Sequence, residues 1–382
     1  DALSDPAIGG EPVPQADLDA LAARPAAARA VLALARTARL ARDEAGAVAL
    51  PGGRRIRVAA DEVRQVYQER GNHFPALEAA AEAMRERLGG QGNGGGGPDP
   101  YPGHAVAERL RSTHGYVVRV GEAPADGMGM HDHAGRALRF SDRLPRESRV
   151  FRMAFQLATL EEAAAIDRVV AEAAPSSLEA ETTIRVGLAN YVAAALLMPY
   201  AAFAAAAREL RYDLERLATR FGVSFEQAAQ RASTLQWPGQ KGIALFFASL
   251  DAAANVTKSV SLCGFPIAQH GGSCPRWVAN IAFTTPGRMQ VQVAELPDGE
   301  RFLCAARTVA APARAWGDVV PMRAIAIGCA IGDAGGMVYG DGIDLQTAAV
   351  AVGPACRMCD WEDCRQRAHP RLAHRLPGMV GV

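Results

Sequence analysis

The sequence predicts an α+β protein: a mainly helical N-terminal part followed by an antiparallel β-rich domain with a C-terminal cysteine cluster. Three observations carry this. Up to about residue 238, apolar residues recur at helical spacing in runs rich in Ala, Leu and Arg. Beyond about 240, short apolar runs alternate with turn pairs such as Asp298-Gly299 and Gly335-Gly336. Near the end, CRMCDWEDC gathers Cys356, Cys359 and Cys364, three of the seven cysteines, into nine residues.

In chain order, residues 1–88 read as a helical segment. DALAARPAAARAVLALARTARLARDEA is helical in period and interrupted at Pro25, and DEVRQVYQERGNHFPALEAAAEAMRERL reads as two helices. GGQGNGGGGPDPYPG (89–103) has the composition of a linker or mobile loop. Over 104–238, HAVAERLRSTHGYVVRVGE predicts a helix and a strand. RALRFSDRLPRESRVFRMAFQLATLEEAAAIDRVVAEA predicts a short strand, a turn and one long helix. Further helices follow, with turns at Met198-Pro199 and Phe221-Gly222. Over 239–350, GIALFFASLDAAANVTKSVS, PGRMQVQVAELPDGERFLCAARTV and RAIAIGCAIGDAGGMVYG read as strands of an antiparallel sheet, and 351–382 is the cysteine segment.

Composition narrows the function classes. Formal charge is zero, and Lys241 and Lys258 are the only lysines against many arginines. A neutral chain argues against nonspecific DNA binding by this part. No apolar run reaches about 18 residues, so no membrane span is expected. An odd number of cysteines, none before Cys263, points to a reducing cytoplasm rather than a disulfide framework. The chain begins at Asp1 without Met, as a piece of a longer protein or a processed chain would.

Cys-x2-Cys-x4-Cys places three thiolates on one short segment, the ligand type for zinc or an iron–sulfur cluster. Either usually takes four ligands. Cys274 in GGSCPRW is the first candidate for the fourth, because that stretch is rich in turn residues. Cys263 is weaker, as are Cys304 and Cys329, which lie in strand-like runs; His369 is a local alternative. A redox thiol site and inert buried cysteines are the competing explanations.

ANYVAAALLMPYAAFAAAARELRYDLERLATRFGVSFEQAAQRASTLQ resembles the helical segment of IrrE/M78-type metallopeptidase-like proteins. In that family it follows a helix carrying His-Glu-x-x-His. The corresponding positions here are Phe155, Gln156, Leu157, Ala158 and Thr159. Two imidazoles one turn apart grip zinc and the Glu activates water, and all three are replaced. No hydrolysis by this helix is expected. Together with TLQWPGQKG, GGSCPRW, ELPDG and CRMCDWEDCRQRAHP, the degenerate helix resembles the short-chain fatty-acyl (ScfR-type) transcription regulators from about residue 60 onward. Members begin with an Xre-type helix-turn-helix domain, which is not evident in 1–60. The resemblance therefore implies the ligand-sensing part of a regulator. It implies an acyl-CoA effector, promoter DNA bound through a helix-turn-helix domain absent from this chain, and a homodimer. It also implies an iron–sulfur cluster, of the 4Fe-4S type, on Cys356, Cys359 and Cys364.

CoA needs cations for its phosphates and an apolar wall for its ring and acyl arm. Arg231, Lys241 and Lys258 are the candidate phosphate contacts, against a role as surface charges or structural ion pairs. Trp237, Phe246 and Phe247 are candidates for the acyl or adenine wall, with core packing the competing role. Tyr67 and His73, in VYQERGNHF, are placed to cap a pocket or to hydrogen-bond in the core. His131 and His133 share a face if extended, but no third ligand can be named and an exposed loop is expected. GDAGG at 332–336 lacks the Lys-Ser/Thr ending of a phosphate loop and reads as a turn. The function expected is a non-enzymatic, acyl-CoA-responsive regulator of propionate- or glyoxylate-type carbon metabolism. The alternative is an M78-like metallopeptidase using another metal site, or a redox-sensing scaffold.

Overall fold

The computed structural model describes residues 59–89, 102–122, 128–268, 272–313 and 316–370, with four isolated positions nearer the N-terminus. The helical expectation for residues before 59 and most of the Gly/Pro-rich stretch at 89–103 lie outside the described residues.

Nine helices form the first part among the described residues: α1 (Ala59–Glu69), α2 (Pro75–Arg87), α3 (Gly103–His114), α4 (Arg146–Glu161), α5 (Ala163–Ala173), α6 (Leu178–Leu197), α7 (Tyr200–Glu209), α8 (Leu214–Phe221) and α9 (Phe225–Ala232). The central member is α6. Its buried residues run from Ile184 through Leu188 and Val192 to Leu197, and α1, α2, α4 and α5 pack around it. A helix apolar on most sides must be enclosed by others. Ser177 caps its start by accepting a hydrogen bond from the Ala180 amide. It stops at Met198, because a residue before proline is pushed out of helical conformation, and α7 restarts after Pro199 at a 69° bend. Asp213 caps α8, and Ser224 with Gln227 forms a capping box on α9. The single long helix expected after Pro145 is two, α4 and α5. They are separated at Glu162, beyond which Ile166, Val169 and Val170 are turned into the core.

A three-stranded sheet sits beside α3 and α4. β1 (Val117–Gly121) runs parallel to β3 (Ala137–Ser141), and β2 (Gly129–Asp132) is antiparallel to β3. The second part is a six-stranded sheet of order β5-β4-β8-β7-β6-β9. Its strands are β4 (Leu245–Asp251), β5 (Val256–Ser261), β6 (Gln290–Glu295), β7 (Arg301–Ala310), β8 (Met322–Ala330) and β9 (Ala349–Ala351). All neighbours are antiparallel except β6 and β9, which pair in parallel, a departure from the purely antiparallel expectation. Gln68 of α1 closes the β5 edge. Its amide donates to the Ser261 carbonyl at 2.6 Å and accepts from the Ser261 amide at 3.1 Å.

Strand alternation makes this sheet a partition between two cores. Leu245 and Phe247 of β4 join Leu303, Ala305, Ile325 and Ile327 in the core shared with the helices. Phe246, Ala248 and Leu250 point the other way, to Phe265, Trp277, Phe302 and Cys304, beneath the short helix α10 (Val278–Ile281). At Gly328 a Cβ would lie 2.2 Å from the Leu303 carbonyl oxygen and 2.5 Å from the Phe246 ring, so only glycine fits. GDAGG belongs to a 3-10 turn, Ile331–Gly336, after β8. Among the described residues no single helix is long and apolar enough to cross a membrane. The bent α6–α7 pair has the length and composition together, but its apolar side chains fill the core.

Candidate ligand cleft and thiol cluster

The helical part and the helix-facing side of the large sheet border a half-open cleft of about 1550 Å³. That exceeds the roughly 300–1,000 Å³ of a pocket for a drug-sized molecule and suits an extended ligand. Register explains its charged end. Lys258 pairs with Ser249, Ser249 with Ile325, and Ile325 with Arg307. Paired residues share a face, so the four form one row across β5, β4, β8 and β7 on the side of Ile325, toward the helices. Arg323 lies two residues from Ile325 on the same side.

Facing this row are α8 and α9. Glu226 divides its carboxylate between Lys258 (Nζ–Oε1 3.2 Å) and Arg323 (Nη2–Oε2 2.7 Å). Glu215 pairs with Arg307, whose guanidinium lies 4.6 Å over the Phe225 ring. Two polar groups of the row remain unpartnered although buried: Ser249 Oγ and Arg307 Nε. Farther along the cleft, Tyr67, Phe247, Val186 and Val260 form apolar wall, with Arg64, Arg146 and Arg152 also lining it. Burial in this wall drives the Tyr67 phenol well above its ordinary pKa.

The structure brings together only some of the expected ligand contacts. Tyr67, Phe247 and Lys258 line the cleft. Arg231 borders it but is no free phosphate contact, a correction to the sequence expectation. Its side chain is 0 % exposed and held bidentately by Glu78 (2.6 and 2.9 Å), with further bonds to the Met198 carbonyl and Thr234 Oγ1. Tyr191 Oη donates to the same carboxylate at 2.6 Å. Burial pulls the Glu78 carboxyl upward, but the Arg231 charge and these hydrogen bonds outweigh it and hold it below the usual carboxylate range.

Phe246 is a second correction. Period two turns it to the opposite core, where it stacks on Phe265 at 4.6 Å. Trp237 and Lys241 sit outside the cleft, in the exposed turn after α9. There the Trp237 ring leans on His73 and Tyr200, each at 5.5 Å. His73 is turned into the core with Nε2 unpartnered, and burial lowers its pKa. His131 is on strand β2 rather than a loop, its Nε2 3.1 Å from Tyr116 Oη and its ring 3.6 Å from that of His133.

Sequence inspection missed Arg307, Arg323, Glu215 and Glu226. The available signal was phase. Arg307 keeps step with Leu303 and Ala305 along β7, an arginine on the otherwise apolar side of a strand.

On the opposite side of the sheet, Cys274, Cys356, Cys359 and Cys364 line one hollow of about 10 Å³, room for roughly one water. Among the described residues, no three His, Cys, Asp or Glu side chains converge as a metal would require. The four thiols nevertheless share this one hollow, and backbone amides attend the sulfurs. The Ala368 N–H donates to Cys356 Sγ at 3.5 Å, and the Gly353 and Trp361 backbones hydrogen-bond Cys274 and Cys359. Gly353 leaves room for the cluster, since a Cβ there would lie 2.5 Å from Cys359 Sγ. Cys304 and Cys329 are buried in the two cores. Cys263 packs against the Cys304 side, its thiol pushed up to about 11 by burial. His369 is exposed and outside the hollow.

In α4, the positions where a metallopeptidase carries His-Glu-x-x-His hold Phe155, buried Gln156, Leu157 and Ala158, and Thr159, whose hydroxyl bonds back to the Phe155 carbonyl. The described residues thus join a helical part whose α4 lacks the His-Glu-x-x-His zinc ligands to a six-stranded sheet that walls the cleft on one side and lies against four thiols on the other. Residues 112–233 match the IrrE N-terminal-like domain, and residues 234–378 match the C-terminal domain of the short-chain fatty acyl coenzyme A regulators.

The chain belongs to this regulator family. It is 37% identical to a propionyl-CoA carboxylase regulator of Cereibacter sphaeroides over 98% of its own length and 80% of that protein's. It is also 37% identical to the HTH-type transcriptional regulators RamB and PrpR of Mycobacterium tuberculosis. These matches cover 83% of the chain but only 66% and 64% of those proteins. A solved Mycobacterium tuberculosis transcriptional regulator superposes with a TM-score of 0.76 at 35% identity, covering 84% of this chain and 96% of that one.

Proposed function

We propose that the chain is the ligand-sensing region of a transcription regulator, and that a short-chain acyl-CoA occupies the cleft between helices and sheet. One observation carries the reading: the cleft combines an apolar wall at Tyr67 and Phe247 with a cationic row at Lys258, Arg307 and Arg323. A CoA thioester has the same division, with phosphates at one end and a short apolar acyl arm at the other. The names of the relatives add support, since one regulates propionyl-CoA carboxylase. Occupancy acts as a population shift, because a ligand that touches both parts favours the arrangement that brings them together. Promoter DNA is bound by the whole regulator through a helix-turn-helix domain, in a homodimer that reads paired half-sites.

Cys274, Cys356, Cys359 and Cys364 hold an iron–sulfur cluster in this proposal. Such a cluster supplies either a structural clamp or a one-electron redox centre. The chain's own contribution is four sulfurs and the N–H groups of Gly353, Trp361 and Ala368 that would set their basicity.

The test is thermal melting with acetyl- and propionyl-CoA against pantetheine. A ligand at about 100 times its Kd stabilises by about 2.7 kcal/mol. A melting temperature unmoved by any acyl-CoA refutes the proposed effector. For the thiols, anaerobically purified protein is expected to be brown and to carry iron and sulfide. Colourless protein with zinc replaces the cluster by a structural metal.

A further inference from the structure

The cationic row is already occupied by the protein's own carboxylates. Glu226 spans Lys258 on β5 and Arg323 on β8, and Glu215 holds Arg307 on β7. Three features separate this from an ordinary structural clamp. First, one carboxylate with two oxygens bridges two cations on different strands, as a phosphate with its several oxygens would. Second, the Lys258 and Arg323 side chains are about half exposed (52% and 48%), whereas Glu226 is 15% exposed, so the cations are reachable from the cleft and the pairs are weak. Third, Arg307, which lines the cleft, leaves its Nε buried without a partner, and native interiors rarely leave such a group unused. By contrast, Glu78–Arg231 is sealed and fully bonded.

We propose that Glu226 and Glu215 are internal stand-ins for ligand phosphate. Lys258, Arg307 and Arg323 form a phosphate subsite that the protein masks with its own acids, and a phosphate-bearing ligand binds there by displacing them. This rests on the acyl-CoA reading of the cleft. The masking sets specificity: an acyl group without phosphates gains nothing from the row, and a weak anion does not displace the carboxylates.

Isothermal titration of wild type, Glu226→Gln and Arg323→Gln with acetyl-CoA, S-acetylpantetheine and sodium pyrophosphate tests it. Glu226→Gln is expected to bind acetyl-CoA and pyrophosphate three- to tenfold more tightly, with S-acetylpantetheine unchanged. Arg323→Gln, which keeps Glu226 engaged by Lys258, is expected to weaken both phosphate ligands three- to tenfold. Pyrophosphate binding that is unchanged or weaker in Glu226→Gln overturns the masking. Unchanged phosphate affinity in Arg323→Gln overturns the subsite, and does so even if Glu226→Gln fails to fold. If acetyl-CoA binds wild type tightly and Glu226→Gln changes nothing, the effector assignment stands and this inference falls. If pyrophosphate tightens in Glu226→Gln but acetyl-CoA binds no better than pyrophosphate, the subsite stands and the acyl-CoA assignment falls.

Discussion

Replacing Glu78 by alanine isolates the group that most depends on a single partner. Arg231 has a side chain 0 % exposed, and Glu78 one 4% exposed. Removing the carboxylate leaves a guanidinium deep in the protein without its acidic partner, bonded to neutral groups such as the Met198 carbonyl and Thr234 Oγ1. Breaking a buried pair from one side costs about 3–5 kcal/mol. With an unfolding entropy near 2.1 cal/mol/K per residue, 382 residues correspond to about 0.8 kcal/mol/K, so melting drops by about 4–6 °C. Differential scanning calorimetry reads this directly. The double variant Glu78→Leu, Arg231→Met removes both charges and is expected to recover most of the loss, because a well-packed apolar pair is often as stable as a buried ion pair. The sign with pH follows from the depressed Glu78 pKa. Its stabilisation is fully present above the ordinary carboxylate range and is lost as pH falls through the lowered folded value, so Glu78→Gln flattens stability against pH on the acid side. A Glu78→Ala protein melting within about 1 °C of wild type, or a double variant no better than the single, refutes the reasoning.

Phe246→Ala and Phe247→Ala should part company. Each loses about 3–5 kcal/mol of core packing, but only Phe247→Ala, on the cleft side, also weakens acyl-CoA binding in titration. Trp237→Ala should leave that affinity within twofold, since its ring packs on His73 and Tyr200 away from the cleft. Gly328→Ala should cost stability by more than 1 kcal/mol in denaturant unfolding, because the Leu303 carbonyl has nowhere to move in a central strand. Cys274→Ser should lower the iron content of anaerobically purified protein, whereas Cys263→Ser should leave it unchanged.

What was legible in the sequence was local. Helical and strand periods, the Met198-Pro199 and Phe221-Gly222 breaks, the erased His-Glu-x-x-His and the Cys356–Cys364 spacing are all short-range patterns. Short-range physics sets them: capping, proline sterics and the alternation of side chains along a strand. The same alternation separates Phe246 from Phe247, so part of the Phe246 error was avoidable.

Partnership across the fold was not legible. Arg231 and Glu78 are 153 residues apart, and nothing near either says that they neutralise each other in the core. Lys258, Arg307 and Arg323 become one row only when β5, β4, β8 and β7 pair in this register, and Glu226 reaches two of them only because α9 docks on that face. Sequence by itself determined the fold class, most of the described elements and which residue types carry chemistry. The tertiary structure decided which charges are spent on each other and which face the cleft, because electrostatic pairing depends on distance and burial that only strand register and helix docking create.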